Sequence, residues 1–365
     1  MREDLEAYLR NEKRAFSELP PSDTDLLAFS ALMYAEFERF ERFSRAASRT
    51  PIGALPRYGA LREYVEHDYA PESLHAIVAA MVESPRFASV ELRDFHCIED
   101  ESRVVQFAAA TFAIAPDVMV IAYRGTNQSI VGWHETVNMC WQAEGPGDEE
   151  ALRYFERSLE AYPSARFVLC GHSKGGAEAE HVGVFCENAQ LDRIARVVSF
   201  DGPALTRCGG TACPEYDGYD ELLAARYGQL PFALVRYVTP GMVGLMMENG
   251  DPRRHRYTEC AGKRASHGAS AVRIVDGNIV CHEPSSEEIA RGLLVSRFLS
   301  TLSLDDRRLI CGLAVEAFHR GGVPADIDAI PEIVRAFIPV YLVAPFNQKR
   351  AMHCIVRRFL AVRSG

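Results

Sequence analysis

The hydrophobic rhythm of the chain changes three times. Between Asp23 and Phe40, Leu26, Phe29, Leu32, Met33 and Phe37 recur at helical spacing behind an Asp or Thr cap, which predicts a helix. Gly53 to Gly59 breaks that pattern, and Leu61–Tyr69 and Glu72–Glu83 read as two short helices. The period then falls to two: Ala88–Cys97, Arg103–Ala113 and Val118–Tyr123 read as consecutive strands, an antiparallel beginning. A βα rhythm follows, with helices over Asp148–Tyr162 and Ala177–Cys186 between strands Phe167–Cys170, Arg196–Phe200 and Phe232–Val238. Val272–Val280 reads as a hairpin turning at Asp276-Gly277-Asn278. From residue 285 onward the period is helical again, over 286–302, 304–320, 325–343 and 348–362.

These changes of rhythm predict an α/β chain with a mostly parallel central sheet, antiparallel strands before it and helical flanks on both sides. Three parts follow: a helical flank over residues 1–85, a core over 86–284 and a helical subdomain over 285–365.

Composition narrows the function classes. With 365 residues and 48% hydrophobic content the chain can bury one large core, and a formal net charge of −10 argues against a nucleic-acid partner. The short basic clusters at 253–256 and 349–350 read as solvated surface. The opening MREDLEAYLRNEKRAF has no apolar run of the kind a secretion signal needs, so a cytoplasmic location is expected. Ten cysteines without a C-x-x-C pair predict free buried thiols and no metal site. Ala336–Phe346, interrupted by two prolines, is too short to span a membrane. Oligomeric state is not legible.

The candidate chemistry lies in Arg166–Glu180, RFVLCGHSKGGAEAE. An apolar strand runs into Gly171-His172-Ser173-Lys174-Gly175 and then into helix formers, the G-x-S-x-G turn that lifts a serine hydroxyl clear of the backbone. The third strand ends in Tyr123-Arg124-Gly125-Thr126-Asn127. Acyl transfer needs donors aimed at an oxyanion, commonly one amide after an early strand and one after the nucleophile, and Thr126 and Lys174 occupy those places. Arg124 reads as a residue that ties the loop down.

A serine nucleophile needs an imidazole late in the core, and His267, in the loop before the hairpin, is the first candidate. His255, in a basic surface-like run, and His282, after the hairpin, are rivals; His172, inside the elbow, reads as pointing elsewhere. For the acid, Asp201 ends the strand after the elbow helix, whereas the next strand ends in Thr239-Pro240-Gly241 with no carboxylate before Glu248 and Asp251. A turn aspartate capping Gly202-Pro203 is the other reading of Asp201.

YRGTN at 123–127 followed by GW at 132–133, GHSKGG at 171–176, SFDGP at 199–203 and ASHG at 265–268 resemble the bacterial Mbeg-like hydrolases, a branch related to class 3 lipases. The early DLLAFSALMYAEF segment is similar too, so the resemblance runs over roughly residues 20–285. It implies an α/β-hydrolase fold with Ser173 as nucleophile, His267 as base and an oxyanion site at Thr126. It leaves the acid open: class 3 lipases carry an aspartate after the strand that here ends in Thr239-Pro240, while the Ser173–Asp201 spacing looks like the pancreatic-lipase arrangement. The expectation is a serine hydrolase cleaving small acyl esters or lipids without metal or organic cofactor. A non-catalytic scaffold for a partner or acyl ligand, or a thioesterase or amidase with the same residues, stands as the alternative.

Overall fold

The computed structural model describes residues 4–44, 48–205, 218–239, 241, 243–244, 246, 254–260, 267–322 and 330–364. An eight-stranded sheet organises them. Its strands are β1 (Arg49–Pro51), β2 (Glu91–Asp100), β3 (Val105–Ala115), β4 (Val118–Tyr123), β5 (Arg166–His172), β6 (Ile194–Phe200), β7 (Ala233–Val238) and β8 (His255–Tyr257), neighbours in chain order. β1 to β4 pair antiparallel and β4 to β8 parallel. The two-residue strands β9 (Ile274–Val275) and β10 (Asn278–Ile279) form a separate hairpin. Its turn is Asp276-Gly277, both with positive φ, one residue shorter than the sequence predicts and of the kind that matches strand twist.

The first helices are α1 (Leu5–Asn11), α2 (Asp23–Leu32), α3 (Glu41–Ser44) and α4 (Pro71–Glu83); α5 (Ile130–Asn138) and α6 (Pro146–Ala161) join β4 to β5. α7 (Lys174–Phe185) joins β5 to β6, and α8 (Tyr219–Gln229) precedes β7. After the hairpin come α9 (Ser286–Gly292), α10 (Leu294–Ser300), α11 (Leu304–Gly321), α12 (Ile330–Val343) and α13 (Phe346–Ser364). Parallel strands covered on both faces need apolar residues at every position, which is why β5 reads FVLC without alternation. On one face, Leu26, Phe29 and Ala28 of α2 share a core with Val168, Cys170 and Val198. On the other, Phe155 of α6 and Val182 of α7 pack with Phe167, Leu169 and Val197. The fold is that of an α/β hydrolase.

Several predicted elements differ. The helix expected to reach Phe40 stops at Leu32, because Phe37, Phe40 and Phe43 turn into an aromatic cluster with Tyr64, the Phe40 and Tyr64 rings stacking at 4.0 Å. Of the helix expected over Leu61–Tyr69, only a single 3₁₀ turn, Leu61–Tyr64, forms. The segment 286–302 breaks after Gly292 into α9 and α10. β1 and β8 have no counterpart in the sequence reading. The eight described cysteines are free, but Cys281 and Cys354 are exposed, against the expectation of buried thiols; Cys208 and Cys213 lie outside the described residues.

Candidate functional site

Register places the site. Tyr123 of β4 pairs with Gly171 of β5, Gly171 with Ser199 of β6, and Phe200 with Tyr237 of β7, so the carboxyl ends of four parallel strands stop side by side. The loop after β4, Ser173, Asp201 and Thr239 sit at that edge.

Ser173 takes φ 57° and ψ −131° between β5 and α7. A non-glycine residue holds such a conformation only where the surroundings over-determine it. Here its amide donates to the Phe200 carbonyl at 2.9 Å, and a side chain at Gly175 would collide with the Tyr123 carbonyl. The elbow and the end of β4 therefore touch backbone to backbone. The same closeness recurs two residues past Tyr123, where a Cβ on Gly125 would meet the His172 carbonyl.

His267 reaches the serine from the loop before the hairpin. Its Nε2 lies 3.0 Å from Ser173 Oγ, and its Nδ1 lies 2.6 Å from Asp201 Oδ2. Asp201 is buried, with φ 52°, and its Oδ1 and Oδ2 also accept from the Thr239 amide at 2.8 Å and the Thr239 hydroxyl at 2.7 Å. Burial alone would raise its pKa, but the His267 ring and the two Thr239 donors outweigh it and hold the carboxyl below its ordinary value. A serine hydroxyl, an imidazole and a carboxylate in this chain can pass a proton from Oγ to Nε2 while Nδ1 stays hydrogen-bonded.

The rival histidines stand elsewhere. His255 is buried on β8 with its Nε2 3.2 Å from Arg236, not in a surface run, because β8 closes the sheet there. His282 pairs with Glu288 at 3.1 Å near the start of α9. Glu248 and Asp251 lie outside the described residues, as do Pro240 and the Arg264–Ser266 part of the His267 loop.

His172 does not point away. Its Nε2 lies 2.6 Å from the His267 carbonyl oxygen, its Nδ1 2.8 Å from Tyr34 Oη, and the His172 and His267 rings lie with centroids 4.8 Å apart, tilted by 35°. A carbonyl can only accept, so Nε2 carries the proton and Nδ1 accepts from Tyr34. Burial, and then the neighbouring His267, push the His172 pKa down to about 3, so the ring is neutral. Tyr34 is the site-adjacent residue that the sequence reading misses; the one available signal is the tyrosine within the early DLLAFSALMYAEF segment.

The loop after β4 is tied from several sides. Thr126, buried, meets Thr136 of α5 hydroxyl to hydroxyl at 2.5 Å. Asn127 Oδ1 accepts from Ser129, which in turn caps α5 through Gly132. Tyr69 Oη donates to the Asn127 carbonyl at 2.6 Å. Arg124 is buried beneath, paired with Glu38 at 2.8 Å. Neither the Thr126 nor the Lys174 amide donates to a protein acceptor among the described residues, and Lys174 opens α7, where first-turn amides have no intrahelical acceptor.

Lys174 carries a second feature in its side chain. It turns inward to Glu135 of α5 at 2.7 Å, Glu178 of α7 at 3.2 Å and the Gln106 carbonyl of β3. Glu135 also accepts from the Gly147 amide at 2.8 Å and the Gln106 amide at 3.0 Å. The two carboxyl groups outweigh burial and keep the Lys174 ammonium charged. Burial raises Glu178 well above the usual carboxylate range despite Lys174, so Glu178 holds its proton. The cluster binds the elbow to α5, to β3 at Gln106 and to the start of α6 at Gly147.

A family model described as Mbeg1-like matches residues 81–224, which include β2 to β6 and the elbow. No curated protein sequence matches the chain. Among solved structures, a mutant form of MDLA from Penicillium cyclopium is 12% identical with a TM-score of 0.35, covering 69% of this chain and 84% of that one. A fungal lipase–inhibitor complex described as a model for interfacial activation is 11% identical with a TM-score of 0.36, covering 65% and 78%. A lipase from Rhizopus microsporus var. chinensis is 11% identical with a TM-score of 0.31, covering 70% and 92%. The chain is thus similar to the Mbeg1-like family over the strands that carry Ser173 and Asp201, within an α/β-hydrolase fold.

Proposed function

We propose that this protein is a serine hydrolase that cleaves carboxylic esters of small acyl or lipid substrates through an acyl-enzyme on Ser173. Ser173 Oγ attacks the ester carbonyl carbon while His267 Nε2 takes its proton. The tetrahedral oxyanion is held by the Thr126 and Lys174 amides. Collapse breaks the ester C–O bond, and the alcohol leaves with the proton from His267. Water then repeats the sequence on the acyl-enzyme and releases the carboxylic acid. Asp201 orients the ring and stabilises the imidazolium formed in each half. The location proposed is the cytoplasm, in keeping with the free state of the eight described cysteines.

The observation that carries this reading is the continuous chain from Ser173 Oγ through His267 to Asp201, at 3.0 and 2.6 Å, on a serine held at positive φ. A fluorophosphonate probe tests it directly. Labelling of the wild type that disappears in Ser173→Ala is expected; an unlabelled wild type, or labelling that survives the substitution, overturns it.

A further inference from the structure

The last two helices leave one face with no packing partner among the described residues. On α12, Ile338, Pro339, Leu342 and Val343 fall on one helical stripe, and Phe346 at the start of α13 extends it. Leu342 is 66% exposed and Phe346 83%, while Val340 on the opposite side is buried against Leu313 and Ala317 of α11. Single exposed apolar residues are ordinary, but a contiguous stripe marks a contact.

α13 adds charge to the same outward side. Its inner face packs Ile355, Met352 and Phe359, the last against Phe298 at 5.3 Å, and Arg358 pairs with Asp306. Arg350 and Arg357 lie on its outer side near the exposed Val356, and Arg363 is exposed at its end. Those three arginines form no ion pair among the described residues. After Glu332 the sequence holds six Lys or Arg and no acidic residue, in a chain whose net charge is −10.

An apolar stripe rimmed by unpaired cations fits the boundary between lipid headgroups and acyl chains, where the phenyl and aliphatic groups enter and the guanidinium groups meet phosphates. Two copies of the chain docked through this face would set like charges against each other. A nucleic acid would leave the apolar stripe unused. α12 has 14 residues with Pro339 inside, and no described helix is long and apolar enough to cross a membrane, so the hairpin lies on the surface rather than through it.

We propose that the α12–α13 hairpin docks this protein onto anionic lipid surfaces. The face is linked to the candidate site: α12 and α13 pack on α11, and Ala314 and Phe318 of α11 pack on Trp133 of α5, the helix that follows the Thr126 loop. The proposal stands on the surface alone and does not require Ser173 to be a nucleophile.

The test is co-sedimentation with vesicles of phosphatidylcholine alone or mixed with phosphatidylserine, using the wild type and a Ser173→Ala protein that leaves the lipid intact. Binding to the anionic vesicles, weakened by added salt, is expected. Phe346→Ser with Leu342→Ser lowers binding about tenfold or more. Replacing Arg350, Arg357 and Arg363 with Gln lowers it about a hundredfold. Because these side chains are exposed, the circular dichroism and melting temperature should match the wild type. Absence of binding to anionic vesicles, or binding indifferent to both sets of substitutions, overturns the proposal. So does a concentration-dependent dimer that Phe346→Ser dissolves, which would assign the face to a second copy. Fluorophosphonate labelling, read separately, reports on the catalytic proposal.

Discussion

His172 donates its Nε2 proton to the backbone carbonyl of His267 at 2.6 Å, so the residue preceding the candidate nucleophile holds the backbone of the candidate base. The imidazole that must face Ser173 sits on a loop, and a loop residue has few restraints of its own. The tether supplies one from the rigid end of β5, and Tyr34, from the segment just after α2, fixes the tether's tautomer at 2.8 Å.

Removal of the tether should therefore lower kcat more than it raises KM. His172→Ala is expected to reduce kcat by between about tenfold and a hundredfold, the cost of a small misplacement of a reacting group. His172→Gln, whose amide can still donate to the His267 carbonyl, should recover much of it. Steady-state kinetics with a soluble ester distinguish this from a merely structural role, in which both variants would lose activity in step with stability.

The same residue gives the fold an acid sensitivity. The His172 pKa falls from the ordinary 6.5 to about 3 in the folded state. Below pH 6.5 the unfolded chain therefore binds a proton that the folded chain refuses, and stability falls as pH drops through the window from 6.5 toward 3. Between about pH 7 and pH 5 the loss is about 2 kcal/mol, above the range where most carboxylates titrate. Denaturant melts of the wild type and His172→Gln across that range check it; the variant should show the shallower slope.

Among the described residues, Thr239 supplies two of the three hydrogen bonds to the Asp201 carboxylate. Thr239→Val deletes only the hydroxyl donor, which costs about 1 kcal/mol of carboxylate stabilisation and should lower kcat about fivefold to tenfold. Asp201→Asn keeps the shape but removes the charge that favours the imidazolium, and a loss of about ten-thousandfold in kcat is expected. If Asp201 is only a turn residue capping Gly202-Pro203, the two substitutions will affect stability but leave kcat near the wild type.

The elements legible in the sequence are those whose signal is local. β2 to β4 announce themselves by period-two alternation, β5 to β7 by apolar runs, and the elbow by glycines that sit where backbones touch, as Gly175 does at Tyr123. β1, the three residues Arg-Thr-Pro, and β8, His-Arg-Tyr within a basic run, carry no such pattern; only the neighbouring strand makes them strands. The end of α2 at Leu32 is likewise set by aromatic packing far along the chain. At the site, the neighbourhood of Ser173 and Asp201 follows from consecutive parallel strands. The approach of Tyr34 to His172, 138 residues apart, depends on α2 crossing the sheet, which no spacing records.

Lys174 shows how one elbow position serves two ends, its amide facing the proposed oxyanion and its side chain entering the buried cluster with Glu135 and Glu178. Lys174→Met leaves the Glu135 carboxyl buried without its cation, which should destabilise the fold by about 3 to 5 kcal/mol. The double variant Lys174→Met with Glu135→Gln removes the stranded charge and should recover a large part of that loss, since an uncompensated ion costs more than a missing pair. Urea melts of the two single variants and the double variant measure the coupling. Because Glu135 also accepts from Gly147 and Gln106, Glu135→Gln alone should cost less than Lys174→Met, its amide oxygen still able to accept one of the two bonds. Equal losses in all three variants would mean that the cluster acts as filler volume, not as a charged clamp between elbow and α5.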